Sequence, residues 1–127
     1  MNNNIITYGS LRKGEYNFDR FPGLKWLGTY QLQGYKLYSL GPYPGIKHTG
    51  NNTDLLTVDL IDCGSSKTKE TIDNMELGAG YSKKELTLES GTKGTLYLYD
   101  GDINESNLVP SGDWTKRHEN ASIEEEG

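Results

Sequence analysis

Cysteine is almost absent from this chain. Cys63 is the only one in 127 residues, so no intrachain disulfide can form, and a reducing cytoplasmic interior is the expected home. Positive charge is in deficit, with 13 Lys and Arg against 18 Asp and Glu, a net charge of -5. That balance speaks against a broad nucleic-acid surface. No apolar run approaches the roughly 18 residues of a spanning helix, and Met1-Asn2-Asn3-Asn4 lacks the basic and apolar start of a secretion signal. No membrane partner is therefore expected, and the three Asn-x-Ser/Thr sequons at Asn51, Asn104 and Asn120 read as plain polar loops. Valine and phenylalanine are scarce, two of each. With 15 Leu and 7 Ile they make only about a fifth of the chain, close to the limit for a folded domain. Nine Tyr and two Trp compensate, because their large amphipathic rings can fill an interior. These features predict one small folded domain that leans on tyrosine for its core.

Sixteen glycines divide the rest into short pieces. Residues 4–8, with Ile5, Ile6, Thr7 and Tyr8, form a β-branched and aromatic first strand that runs into a tight turn at Gly9-Ser10. Residues 14–20 suit one or two helical turns, stopped by Pro22-Gly23. Strands follow over 24–32 and 34–40; residues 41–45 hold too much Pro and Gly for anything but a loop, and 48–54 read as a polar turn. The run 55–61 alternates, with Leu56, Val58 and Leu60 on one face. Ser65-Ser66 offers an N-cap to the one clear helix, over 67–76, in which Ile72, Met75 and Glu76 share a face and after which Gly78 and Gly80 end the run. Strands over 81–88 and 95–99 complete the pattern, and residues 117–127 form a polar acidic tail. The expected fold class is α+β: a small mixed β-barrel of about six strands with one main flanking helix, carried by residues 1–116.

Two places could carry chemistry. Tyr8-Gly9-Ser10-Leu11 is a strand end that turns at once, which is either an ordinary β-turn or a nest of unpaired amides able to hold a carboxylate or phosphate. Glu76 closes the helix on an apolar face. It is either a solvated end-of-helix carboxylate beside Lys83 or Lys84, or a buried one whose raised pKa makes it a general base. Metal chemistry finds no Cys/His/Asp cluster at ligand spacing, His48 and His118 stand alone, and Ser10 lacks the Gly-x-Ser-x-Gly frame of a nucleophile.

In chain order these pieces resemble the γ-glutamylcyclotransferase-like family, in particular the small-domain branch that includes γ-glutamylamine cyclotransferases. The stretch from Tyr8 to Asn17 (Tyr-Gly-Ser-Leu-Arg-Lys-Gly-Glu-Tyr-Asn) is similar to the family's opening motif. Leu27-Gly28-Thr29, Gly34 to Tyr38, Tyr43-Pro44-Gly45-Ile46, Ile72 to Glu76 with Tyr81, and Val109 to Trp114 resemble its later blocks, over roughly residues 4–116 in all. The pattern departs at residues 52–58, which lack the family's usual Gly-Glu pair, and at Gly78-Ala79-Gly80, which is looser than its usual run.

The resemblance implies a small β-barrel with a pocket at one end. It also implies a transferase or lyase activity that needs no metal or cofactor: a small γ-glutamyl amine or γ-glutamyl amino acid is cyclised to 5-oxoproline, and a free amine is released. Glu76 is then the catalytic acid/base. Tyr8, Gly9, Ser10 and Leu11 would bind the substrate through backbone N–H groups, and Tyr81 would orient Glu76 or close the pocket. Arg12 is left as either a site residue or a structural one. Two other readings stay open. One is a non-catalytic module on the same fold that holds a small anionic ligand. The other is a protein-interaction domain that uses the acidic tail and exposed tyrosines and has a collapsed pocket.

Overall fold

A computed structural model describes residues 3–117 apart from Pro42. The first strand, β1 (Asn4–Thr7), is flanked on both sides: it pairs antiparallel with β5 (Leu55–Asp62) and parallel with β7 (Lys93–Tyr99). The outer places are taken by β2 (Lys25–Gln33) beside β5 and β6 (Tyr81–Thr87) beside β7, both antiparallel. The five-stranded order is β2-β5-β1-β7-β6. A separate hairpin, β3 (Tyr35–Ser39) with β4 (Pro44–His48), forms the second sheet.

Successive side chains of a strand point to opposite faces, so the adjacent Ile5 and Ile6 are both fully buried but in different cores. Ile6 joins Leu56, Val58, Leu60 and Leu96 against the hairpin residues Tyr35, Leu37 and Ile46. Ile5 joins Ile61, Tyr97 and Ile72 on the other face. That face is covered by α1 (Tyr16–Arg20) and α2 (Ser66–Gly78). Ser65 caps α2 by accepting a hydrogen bond from the Thr68 amide at 3.1 Å. No helix among the described residues is long and apolar enough to cross a membrane.

The α+β class, the two helices and their placement agree with the sequence reading, but two expectations need correction. Among the described residues no ladder joins the hairpin to the five-stranded sheet, so the strands form two layers and not a closed barrel. The described residues hold seven strands, not about six, because residues 44–48 form β4 where the sequence suggested a loop. Pro44 can open this strand because β4 has a ladder partner on one side only, so its missing N–H breaks no internal ladder. Gly45 is needed for close packing, since a Cβ there would lie 2.9 Å from Leu40 Cδ1 and 3.2 Å from Tyr99 Cβ.

The segment Val109–Trp114 is sewn to both sheets. Val109 N donates to Leu37 O and Thr57 N donates to Gly112 O, each at 2.8 Å. Gly112 has φ of +67°, and a Cβ there would fall 1.9 Å from Leu55 O, so only glycine lets this segment lie on β5. A short 3-10 turn over Trp114–Lys116 follows. Arg117 stacks over Trp114, with its guanidinium carbon 4.2 Å from the ring centroid, and its Nη1 lies 3.8 Å from Glu15 Oε1. The rest of the acidic tail, 118–127, lies outside the described residues.

Candidate active site

Beyond the end of β1 the chain turns through Gly9, Ser10 and Leu11, closed by the Arg12 amide donating to Gly9 O at 3.0 Å. No hydrogen bond among the described residues engages the amides of Gly9, Ser10 and Leu11. Gly9 and Leu11 are buried, and a buried N–H without an acceptor costs free energy, so this turn is suited to take an anion. Glycine at position 9 has a cause in packing. A Cβ there would meet Pro44 Cγ at 2.4 Å, so Gly9 admits β4, whether or not it also admits a ligand.

The last turn of α2 brings Glu76 to the same place. Its side chain is half-buried, and its carboxylate takes no hydrogen bond or ion pair among the described residues. Burial pushes its pKa up to about 7. Of the two lysines that the sequence set beside it, neither forms an ion pair with Glu76 among the described residues, and Lys83 lies 3.3 Å from Asp73 Oδ2. Asp73, one turn earlier on α2, is also bound by Lys69 Nζ at 3.0 Å and by the Tyr97 hydroxyl. Burial alone would raise the pKa of Asp73, but these donors outweigh it and hold the group below its ordinary value.

Four tyrosines, Tyr8, Tyr43, Tyr81 and Tyr97, wall the space between. Tyr8 is buried, and its hydroxyl donates to Tyr97 O at 2.7 Å. Burial, with lesser contributions from Tyr81 and Glu76, keeps it protonated far above neutral pH. Tyr81 donates to Pro44 O at 2.6 Å. Its hydroxyl therefore fastens the start of β4 beside the cavity and makes its hydrogen bond there, not to Glu76.

A cavity of about 290 Å³ lies among these groups, and all six residues singled out in the sequence line it: Tyr8, Gly9, Ser10, Leu11, Glu76 and Tyr81. A family model described as Gamma-glutamyl cyclotransferase, AIG2-like matches residues 5–116. The chain belongs to this family. Among proteins similar to it is the Gamma-glutamylcyclotransferase family protein YtfP of Escherichia coli K12, 32% identical over 113 residues that cover 89% of this chain and 96% of YtfP. The crystal structure of protein PH0828 from Pyrococcus horikoshii superposes with a TM-score of 0.77 at 27% identity, covering 94% of this chain and 96% of that one. The solution structure of YtfP superposes with a TM-score of 0.69 at 27% identity, covering 91% and 98%.

Two residues of the family's opening stretch have separate tasks in this cyclotransferase-family chain. Arg12 is buried and turned away from the cavity, with Nη1 2.7 Å from Asp113 Oδ1 and Nε 3.4 Å from Asp59 Oδ2. It ties the turn to β5 and to the closing segment, so it is structural. Asn17, the last residue of that stretch, lines the cavity and donates to Ser10 Oγ at 2.6 Å, though the sequence reading gave it no role. Arg20 and Tyr43 also line the cavity; the sequence reading gave neither a place in the site. Among the described residues no group of three or more His, Cys, Asp and Glu could hold a metal ion. Cys63 is buried away from the cavity, and burial pushes its thiol up to about 11.

Proposed function

We propose that this protein cyclises a small γ-glutamyl compound to 5-oxoproline and a free amine, with Glu76 as general base and then general acid. The observation that carries this reading is one cavity of about 290 Å³ in which an unpartnered carboxylate with a pKa of about 7 shares the walls with three unpartnered amides. The amides of Gly9, Ser10 and Leu11 suit the substrate's α-carboxylate, and the cavity volume suits a small molecule.

The substrate carries its own nucleophile, so the protein's main task is to fold it into a near-attack shape. Glu76 takes a proton from the α-ammonium. The freed amine attacks the γ-carbonyl carbon and forms the ring C–N bond. The ring nitrogen then gives up its second proton to solvent, the C–N bond to the leaving group breaks, and the first proton passes from Glu76 to the departing amine, which leaves a neutral lactam. A base with a pKa near the working pH is the efficient one for both transfers. Tyr81 would close the cavity against water through Pro44. The single buried cysteine suits work in a reducing cytoplasm.

The test is release of 5-oxoproline by the purified protein and by Glu76→Gln, over a panel of γ-glutamyl amines and γ-glutamyl dipeptides. The variant should lose about 10²–10⁴-fold in turnover while keeping affinity. In the wild type kcat/KM should rise with pH through about 7 as Glu76 ionises, and that limb should vanish in the variant. Equal turnover by both proteins would remove Glu76 from the mechanism. Ligand-induced stabilisation without product from either would favour the module that only holds the ligand.

A further inference from the structure

Two carboxylates stand one turn apart on α2, and the fold treats them in opposite ways. Asp73 is buried and accepts from the Tyr97 hydroxyl, from Lys69 Nζ at 3.0 Å and from Lys83 Nζ at 3.3 Å. Glu76 accepts from no donor among the described residues. Tyr97 faces both: its ring lines the cavity beside Glu76, and its hydroxyl goes to Asp73, which is not part of the cavity wall. Burial raises the Tyr97 pKa most, and Asp73 and Glu76 both add to it, so one phenol feels both carboxylates. The other groups around Glu76 are also turned elsewhere. Tyr8, at the end of β1, donates to Tyr97 O at 2.7 Å, and Tyr81, from β6, donates to Pro44 O at 2.6 Å. α1 hangs on Ser10 O through the Asn17 amide at 2.9 Å, and its Arg20 donates to Asn17 Oδ1 at 3.1 Å. Tyr43, just before β4, is exposed.

A phenol that donated to Glu76 would stabilise its charged form and draw it back towards an ordinary carboxylate. Three buried tyrosine hydroxyls stand near enough to do so, and each has another acceptor. For Tyr8 and Tyr81 that acceptor is a backbone carbonyl, which any sequence supplies. For Tyr97 it is the Asp73 side chain. Burial alone would raise the Asp73 pKa, but Tyr97 and the two lysines outweigh it, so Asp73 stays charged and accepting while Glu76 gains and loses its proton. A buried hydroxyl seldom goes without an acceptor. Without Asp73, the Tyr97 hydroxyl would turn to the next carboxylate along the helix. We propose that Asp73 is a positioning residue: it holds the Tyr97 hydroxyl off Glu76 and so keeps that carboxylate without a donor, ready to take and return a proton. The inference rests on Glu76 being the acid/base of the site and adds what keeps it so.

Titration of the Glu76 carboxyl by NMR, in protein with isotope-labelled glutamate and with the signal assigned by its loss in Glu76→Gln, tests this without turnover. Asp73→Ala and Asp73→Leu both remove the acceptor. Alanine favours the helix and leucine fills the space, so the test does not hang on the folding of one variant. Either should lower the Glu76 midpoint by about one pH unit. Asp73→Asn loses the charge but keeps an accepting oxygen, and should restore most of the wild-type midpoint. Adding Tyr97→Phe to Asp73→Ala should cancel most of the drop, because the donor is then gone. In kcat/KM the limb near pH 7 should move down with the NMR midpoint, whereas a role in packing alone would lower the rate at every pH and leave the limb in place. A wild-type midpoint in Asp73→Ala and Asp73→Leu would overturn the inference. So would a drop that survives in full without the Tyr97 hydroxyl, since the released lysines would then be its cause. If the wild type releases no 5-oxoproline, the cyclotransferase reading fails, and the NMR midpoints still decide the part of Asp73.

Discussion

At the scale of the residue, Glu76 shows that a group fit for catalysis is a burden on the fold. Its pKa stands at about 7 in the folded protein, above the ordinary carboxylate value of 4.5, so the folded state binds its proton more tightly than the unfolded chain does. Stability therefore falls as pH rises from the unfolded value to the folded one, and the full penalty, up to about 3 kcal/mol, is present above pH 7. Glu76→Gln should be more stable than the wild type at pH 8 and nearly equal to it at pH 4, as read by denaturant midpoints at the two pH values. Gly9 carries a different prediction. A methyl group there would press on Pro44, so Gly9→Ala should cost about 1–3 kcal/mol in urea unfolding, with loss of cavity function following loss of packing. Glu76 was legible because an acid on an apolar helix face breaks a pattern. Asn17 and Arg20 were not, since polar residues in a short polar helix break none, and only the fold reveals that α1 hangs on Ser10.

At the scale of the element, the strands and α2 were readable where side chains alternate or caps are spelled out, as in 55–61 and at Ser65. β4 was not readable, because Pro44 and Gly45 carry turn chemistry locally and become strand residues only through β3, Leu40 and Tyr99. The β-bulge between Trp26 and Gly28 in β2 was equally hidden, since a register shift depends on the partner strand. What joins the elements is the clasp of Arg12 with Asp59 and Asp113, from a turn, a strand and the closing segment. Asp59 is only 2% exposed, so removing its cation leaves an uncompensated buried charge. Arg12→Met should cost about 3–5 kcal/mol in chemical denaturation, and Arg12→Lys should recover little, because one ammonium cannot reproduce the two-sided contact.

At the scale of the whole molecule, the cavity is a meeting point of parts far apart in sequence. β1 ends in the amide turn, α1 supplies Asn17 and Arg20, the start of β4 supplies the roof at Pro44, and α2 supplies the acid. No single segment holds the site, so a ligand that fills it should stabilise all of them together. Saturating 5-oxoproline or a γ-glutamyl ligand should raise the melting temperature of the intact chain as a single transition, by an amount that grows with ligand concentration. The layering could not be read from the chain in the way the strands could. A strand pattern names which faces are apolar, but whether two sheets join into a barrel or stack as layers is decided by ladder closure, which alternation does not encode.

The placement of β1 also sets the order of events in biosynthesis. β1 is made before every other strand described here and sits between β5 and β7, with Ile5 beside Thr95 and Ile6 beside Leu96. For the several seconds before residues 93–99 are made, two adjacent isoleucines have at most one neighbouring strand, and one edge of the nascent sheet stays open. Folding must then wait for contacts that span most of the chain, which is the slow topological class. A chain stalled before β7 would be a sticky fragment and not a partial enzyme, and its solubility would depend on how soon a chaperone or protease met it.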